Sequence, residues 1–354
     1  MPKNLSELLL NWYDTHRRTL PWRDIHNPYA TWVSETMLQQ TRVETVLSYY
    51  PRFLQAFPTV QALAEAPIDD VLKLWEGLGY YRRAQNLHKG ARQVVEQYGG
   101  MIPKEVDALL KISGIGDYTA GAIASIAYGI PVPAVDGNVI RVVARVCDIQ
   151  ENVGIPSVKR ELTAQAAAMV PQARPGDFNQ ALMDLGSAVC TPGTPDCGAC
   201  PLNGVCKAYA AGDAEELPVL PRKSPPRELH YDVLLAENGG RVLLRQRTES
   251  MLQGLWIFPM LEGKHTPSAL PAAAKRSLRI PFGKAELLGE ARHVFTHQVW
   301  LMRIYALETP AADAPEGWRF VTAEELSALP LPTAVAKARK LAMDRLIQKE
   351  TKQN

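Results

Sequence analysis

With 354 residues the chain is too long for one ordinary core, so two or more domains are expected. A hydrophobic share of 46% is that of a globular protein, and no apolar run approaches the roughly 18 residues of a membrane span. The net charge of +2 excludes a broadly basic nucleic-acid binder, so any such contact must come from local donors.

In chain order, apolar residues at three- and four-residue spacing predict helices over 5–13, a long one over 31–57, and then over 60–66, 68–78, 82–98, 118–129, 137–147, 157–170 and 178–189. This is an all-α domain, taken as 1–211. Between 212 and 228 the stretch DAEELPVLPRKSPPR carries Pro218, Pro221, Pro225 and Pro226, which stiffen the chain and remove backbone donors, as in an interdomain connector. From 229 to 354 the period changes to two. YDVLLAE and RVLLRQR flank Asn238-Gly239-Gly240, a hairpin signal, and LWIFPM, ELLGEARHVF and HQVWLMRIYALE add strands. Helical segments over 267–278 and from 322 onward complete an α+β domain. Residues 1–226 hold 21 Lys+Arg against 23 Asp+Glu and the remainder 18 against 14, so the second domain is the more basic.

The helical region ends in Cys190-x6-Cys197-x2-Cys200-x5-Cys206. Thiolates so closely spaced let one loop (190–206) wrap a metal or iron–sulfur group. The chain opens without an apolar signal segment, so a reducing cytosol is expected and disulfides are disfavoured. A single Cys-x2-Cys knuckle within the quartet favours a [4Fe-4S] cluster, with zinc as the alternative. Cys147, in VIRVVARVC, reads as a small buried residue.

LLKISGIGDYTAGAIAS sets Gly114-Ile115-Gly116 directly ahead of a helix, where glycines permit close backbone approach and free N–H groups suit a phosphate. A tight interhelical turn wants the same glycines. Together with the cysteine quartet, however, the segment resembles the helix-hairpin-helix DNA glycosylases of the endonuclease III superfamily. The resemblance implies an aspartate beyond the hairpin, matched by Asp136 of AVDGNVIRV, which also reads as a helix N-cap. An N-capping carboxylate is expected to be held ionised. Where relatives that cut the strand carry a lysine nucleophile stands Tyr118, and a phenol forms no Schiff base.

Tyr118 and LPWRDIHNPYATWVSETMLQQTRVETV narrow the resemblance to the MutY-type adenine DNA glycosylases. It implies excision of adenine opposite 8-oxoguanine or guanine in double-stranded DNA, without strong lyase activity. Glu35, in an apolar helix, would protonate adenine N7 as general acid and Asp136 would stabilise the sugar cation. Tyr118 and Asn138 would orient them, and Leu20, Trp22, Arg23 and Gln180 would shape the adenine pocket. Gln40 with Tyr80 would wedge the duplex as the base leaves the stack, and Thr41 and Leu78 would touch the damaged guanine. Arg82 and Arg83 suit phosphates or a solvated face equally. Asp117 departs from the pattern by placing a carboxylate in the hairpin.

RQRTESMLQGLWIFPMLEG resembles the start of a Nudix-type domain, yet PSALPAAAKRSLR stands where the magnesium-binding acidic helix would fall, which argues against a phosphohydrolase. In the MutY type this domain recognises 8-oxoguanine through a short loop, matched by Phe295, Thr296 and His297. The expectation is a monomeric, cytoplasmic enzyme acting at the nucleoid. The rivals are a pyrimidine glycosylase/lyase and a non-catalytic, cluster-bearing DNA-structure sensor.

Overall fold

The structure, a computed structural model, describes residues 5–221 and 224–353; Arg222 and Lys223 of the expected connector lie outside them. The helices of the first part are α1 (Leu5–His16), α2 (Pro28–Leu38), α3 (Val43–Ala56), α4 (Val60–Glu65), α5 (Ile68–Leu74), α6 (Arg82–Tyr98), α7 (Val106–Leu109), α8 (Asp117–Ala122), α9 (Gly137–Cys147), α10 (Pro156–Met169), α11 (Pro175–Ala188) and α12 (Lys207–Ala211). The long helix expected over 31–57 is two. Asn27 caps α2 by accepting from the amides of Tyr29 and Ala30 at 2.9 and 3.1 Å. The helix stops at Leu38 because Gln40 adopts a left-handed φ of 56°, turning the chain before α3. The short α7 and α12 carried no periodic signal.

The chain forms two compact units, Met1–Ala66 with Asn86–Arg222, and Pro67–Gln85 with Lys223–Asn354. Residues 67–85, with Leu78 and Tyr80, thus group with the C-terminal segment, although their helical pattern reads with the N-terminal one. The reason lies in specific polar ties: Lys73 Nζ donates to Ser327 O at 2.7 Å, Arg339 pairs with Glu76, and Gln85 donates to Gln253 O at 2.6 Å.

In the first unit one core gathers Leu5 and Leu9 of α1, Val142 and Val143 of α9, Leu162 of α10 and Leu182 and Leu185 of α11. Close approach is enforced by glycine. A Cβ on Gly121 would fall 2.1 Å from Pro133 O, and α8 passes directly into a π-helical turn, Ile123–Ala127.

Among its described residues the second unit holds seven strands: β1 (Arg227–Asn238), β2 (Arg241–Gln246), β3 (Trp256–Ile257), β4 (Met260–Glu262), β5 (Ala285–Val294), β6 (Gln298–Glu308) and β7 (Arg319–Val321). The order is β3-β2-β1-β6-β5, with β4 on β1 and β7 on β2. Gly239 and Gly240, at φ 49° and 73°, make the two-residue hairpin loop that both residues' positive φ demands. β1 runs parallel to β6 from Arg227↔Gln298 to Glu237↔Glu308 and is buried on both faces. Val233 and Leu235 face a core shared with α14 (Ala323–Ala328) and α15 (Ala336–Gln353), whereas Leu234 and Ala236 face α13 (Leu270–Leu278).

Candidate active site

A cavity of about 870 Å³ in the first unit is lined by Leu20, Trp22, Arg23, Glu35, Gln40, Thr41, Gly114, Gly116, Tyr118, Asp136, Asn138 and Gln180, which four separate chain segments supply. Glu35 points into it from α2 while only 5% exposed. Burial pushes its carboxyl up to about 7, a Tyr118 hydrogen bond and the Arg23 charge pull down, and Asp136 adds an upward push. Tyr118, from the first turn of α8, donates to Glu35 Oε2 and has Met183 Sδ at 3.7 Å.

Asp136 caps α9: Oδ1 accepts from Val139 N at 2.8 Å and Oδ2 from Asn138 Nδ2 at 2.9 Å. These donors favour the ionised form. Burial outweighs them and raises the carboxyl, with the Val139 and Asn138 bonds pulling back. The two carboxyls still differ in kind, because Asp136 accepts two N–H donors and Glu35 one phenol.

Several residues without a sequence signal build this site. Arg141 donates to Asn138 Oδ1 at 2.8 Å, Gly186 O at 2.6 Å and Cys190 O at 2.7 Å, joining the cysteine loop to the Asp136 cap. Gly186 exists for contact: its Cβ would lie 2.7 Å from Asn138 Cβ. Asn179, fully buried, accepts from Ala134 N at 3.1 Å and donates to Val132 O at 2.9 Å, fastening the segment that delivers Asp136. Asp184 sits between Arg18 and Arg23. A buried Asp, Arg or Asn in an amphipathic helix looks like any other polar residue until its partners fold against it.

At the hairpin, Gly114 takes φ 84° with Asn86 packed 3.0 Å from where a Cβ would stand, whereas the space beside Gly116 is open. Asp117 is exposed at the cavity.

In the second unit a cavity of about 540 Å³ is lined by Tyr80, Phe295, Thr296 and His297. Tyr80 is 48% exposed at a left-handed φ of 48°, and its hydroxyl lies 3.3 Å from Thr296 Oγ1. Gln40 and Tyr80 share this uncommon backbone state, which non-glycine residues hold only where surroundings impose it. Thr296 and His297 form the exposed β5–β6 turn, but Phe295 packs inward, edge-on to Trp300 at 4.9 Å. Leu78 is buried. Of the two arginines offered as phosphate contacts, Arg83 is a structural cation, donating to Gly79 O at 3.2 Å between the Trp75 and Tyr80 rings; Arg82 is exposed.

Residues 33–168 match the family described as HhH-GPD superfamily base excision DNA repair protein, and 232–341 match a NUDIX domain. The adenine DNA glycosylase of Mus musculus is 38% identical over 397 aligned residues, covering 95% of this chain and 77% of that protein. The chain belongs to the adenine DNA glycosylase family. Among solved structures, a thermostable thymine-DNA glycosylase aligns with a TM-score of 0.53 at 29% identity, covering 59% of this chain and 96% of the other. A non-covalent endonuclease III–DNA complex aligns at 0.50 and 22% identity, over 58% and 94%, a likeness of fold. Residues 33–168, which include the 67–85 segment of the second unit, thus carry the helical glycosylase fold and 232–341 the Nudix-like one, as the motifs implied.

This adenine DNA glycosylase family member keeps all five cysteines out of disulfides. Cys147 packs at the edge of the helical core. Cys190, Cys197, Cys200 and Cys206 line one cavity with Val142, Val146, Leu185 and Leu202. Arg145, 2% exposed, donates to Cys190 Sγ at 3.2 Å, Thr191 O at 2.9 Å and Leu217 O at 2.9 Å, so a buried cation ties the loop together. Among the described residues no group of three or more His, Cys, Asp or Glu forms a site that could hold a metal ion. The donor types, four thiols about one largely apolar cavity with a guanidinium on one sulfur, are those that bind iron–sulfur clusters, although the four are not gathered here into a group that could hold a metal ion.

Proposed function

We propose that this DNA glycosylase hydrolyses the N-glycosidic bond of adenine paired with 8-oxoguanine or guanine in double-stranded DNA, leaving an abasic site. The observation that carries the reading is the pair of unlike carboxyls, Glu35 at about 7 and the N-capping Asp136, in one cavity. A carboxyl near 7 keeps its proton at neutral pH and still releases it.

The flipped adenine enters among Leu20, Trp22, Arg23 and Gln180, while Gln40 and Tyr80 fill the duplex. Protonated Glu35 gives its proton to N7, and the C1′–N9 bond breaks with its electron pair going to the base. Asp136 stabilises the oxocarbenium ion, held in place by Val139 N and by Asn138, which Arg141 orients. Water adds to C1′. Tyr118 offers no amine to open the strand, so the product is an abasic site and not a nick. Thr41, Leu78, Phe295, Thr296 and His297 serve the opposing 8-oxoguanine, and Gly114 and Gly116 a backbone phosphate. Cys190, Cys197, Cys200 and Cys206 would hold a [4Fe-4S] cluster, which would staple the loop that Arg141 and Arg145 anchor.

The test uses duplexes with A opposite 8-oxoguanine, A opposite C, or thymine glycol, followed by alkali. Alkali-dependent cleavage of the first is expected. Preference for thymine glycol, or breakage without alkali, overturns the reading.

A further inference from the structure

One charged group in the active-site cavity has no place in the mechanism so far. Asp184 of α11 has a side chain 3% exposed, and Arg18 Nε donates to its Oδ1 at 3.1 Å, while Arg23 Nη2 stands 2.8 Å from its Oδ2 as an ion pair outside hydrogen-bond geometry. Arg23 is itself only 7% exposed at its side chain, lies over the Tyr13 ring at 5.5 Å, and donates through Nη1 to Arg18 O at 3.0 Å. Its Nε is buried without a hydrogen-bond partner among the described residues. A guanidinium so far from water needs a counter-charge to stay where it is. Asp184 supplies it, since Asp24 pairs with Arg17 and not with Arg23.

The placement matters because Arg23 also acts on the Glu35 carboxyl through space. The titratable and charged groups lining the cavity with Glu35 are Asp117 and Tyr118 from α8, Asp136 from the α9 cap, Lys159 from α10, Asp184 from α11, and Arg18 and Arg23 from the segment before α2; of these Tyr118, Asp136 and Arg23 act on the Glu35 carboxyl. α3 brings only Val43 to the cavity, and the π-helical turn packed on α2 has no titratable side chain.

We propose that Asp184 is a positioning residue, which fixes the Arg23 guanidinium in the cavity wall and offsets its charge so that the proton on Glu35 is kept for the leaving base. The inference rests on Glu35 as the general acid. With Asp184 neutralised, the positive field of Arg23 reaches Glu35 unopposed and favours the carboxylate. The rate limb that falls with rising pH, as Glu35 ionises, then moves to lower pH.

Single-turnover release of adenine from a duplex with 8-oxoguanine opposite, followed from about pH 5.5 to 9, reads this out. Asp184→Asn should be near wild type at about pH 6 and roughly 3- to 10-fold slower at about pH 8, a limb displaced by up to about one unit. Asp184→Glu, which keeps the charge, should restore the wild-type limb. Arg18→Gln removes a partly exposed cation from the same carboxylate and should displace the limb the opposite way, and it decides the matter alone should Asp184→Asn not fold. An Asp184→Asn rate reduced by one factor at every pH, or an Arg18→Gln limb that stays put, overturns the inference. Wild-type enzyme that releases no adenine overturns the parent reading as well.

Discussion

Tyr118 donates its phenolic hydrogen to Glu35 across 83 positions of sequence, inside a cavity where both groups are shielded from water. That bond favours the ionised carboxyl, so Glu35 sits lower than burial alone would put it. Removing the donor with Tyr118→Phe should raise the Glu35 carboxyl above about 7 and carry the high-pH limb of excision upward. A pH–rate profile checks the sign; a downward shift would contradict the assigned hydrogen bond.

Glu35→Gln should separate activity from stability. Loss of the acid should slow excision by about 10²- to 10⁴-fold with DNA binding retained, measured by single-turnover kinetics and by titration of a labelled duplex. Stability should move the other way. The folded carboxyl titrates near 7 and the unfolded one near 4.5, so the native state holds the extra proton between them and loses stability as pH rises through that window. At about pH 8 the amide should be more stable than wild type by up to roughly 3 kcal/mol, and at about pH 4 the gain should vanish. Denaturant melts at the two pH values measure it.

Gly186→Ala places a methyl 2.7 Å from Asn138 Cβ, against the residue that donates to Asp136. Overpacking should cost about 1–3 kcal/mol, and excision should fall further than folding does because the Asp136 cap is displaced. Rate and melting midpoint measured together decide it; a full rate in a destabilised protein would detach Asn138 from catalysis.

Thr296→Val keeps the shape of an exposed turn residue and deletes the hydroxyl 3.3 Å from Tyr80. Thermal stability should change by less than about 0.5 kcal/mol. The ratio of rates on A opposite 8-oxoguanine and A opposite guanine should narrow. Phe295→Ala is a poorer probe, because the ring packs on Trp300 and its loss disturbs the core.

Cys200→Ser should lower iron content and loosen the loop that Arg145 and Arg141 anchor through Cys190. Metal analysis, visible absorption and a melt report it, with weaker DNA binding expected beside the lost stability. Full iron loading in the serine variant would take Cys200 out of the ligand set.

Much of the architecture was legible because periodicity is a local property. Apolar spacing located α1, α6, α9, α10 and α11, and the change to alternation, with two glycines at positive φ, located the β1–β2 hairpin. The split of the long helix at Gln40 was not, since a left-handed residue followed by amphipathic sequence leaves the pattern intact on both sides. Nor was the grouping of residues 67–85 with the C-terminal unit, which depends on ties such as Lys73 to Ser327.

Of the site, residue types and spacing determined the cysteine quartet and the glycine hairpin, while Tyr118 in place of a lysine and the two candidate carboxyls came from the resemblance to known glycosylases, because chemistry resides in side-chain identity but a lone carboxylate in a helix is chemically ordinary. Their environments were decided only in three dimensions. That Glu35 lies near 7, that burial lifts Asp136 despite its cap, and that Asp184, Arg141 and Gly186 belong to the site all follow from groups distant in sequence meeting in a cavity from which water is largely removed. A pKa is set by neighbours and dielectric, and neither is written in the order of residues along one chain.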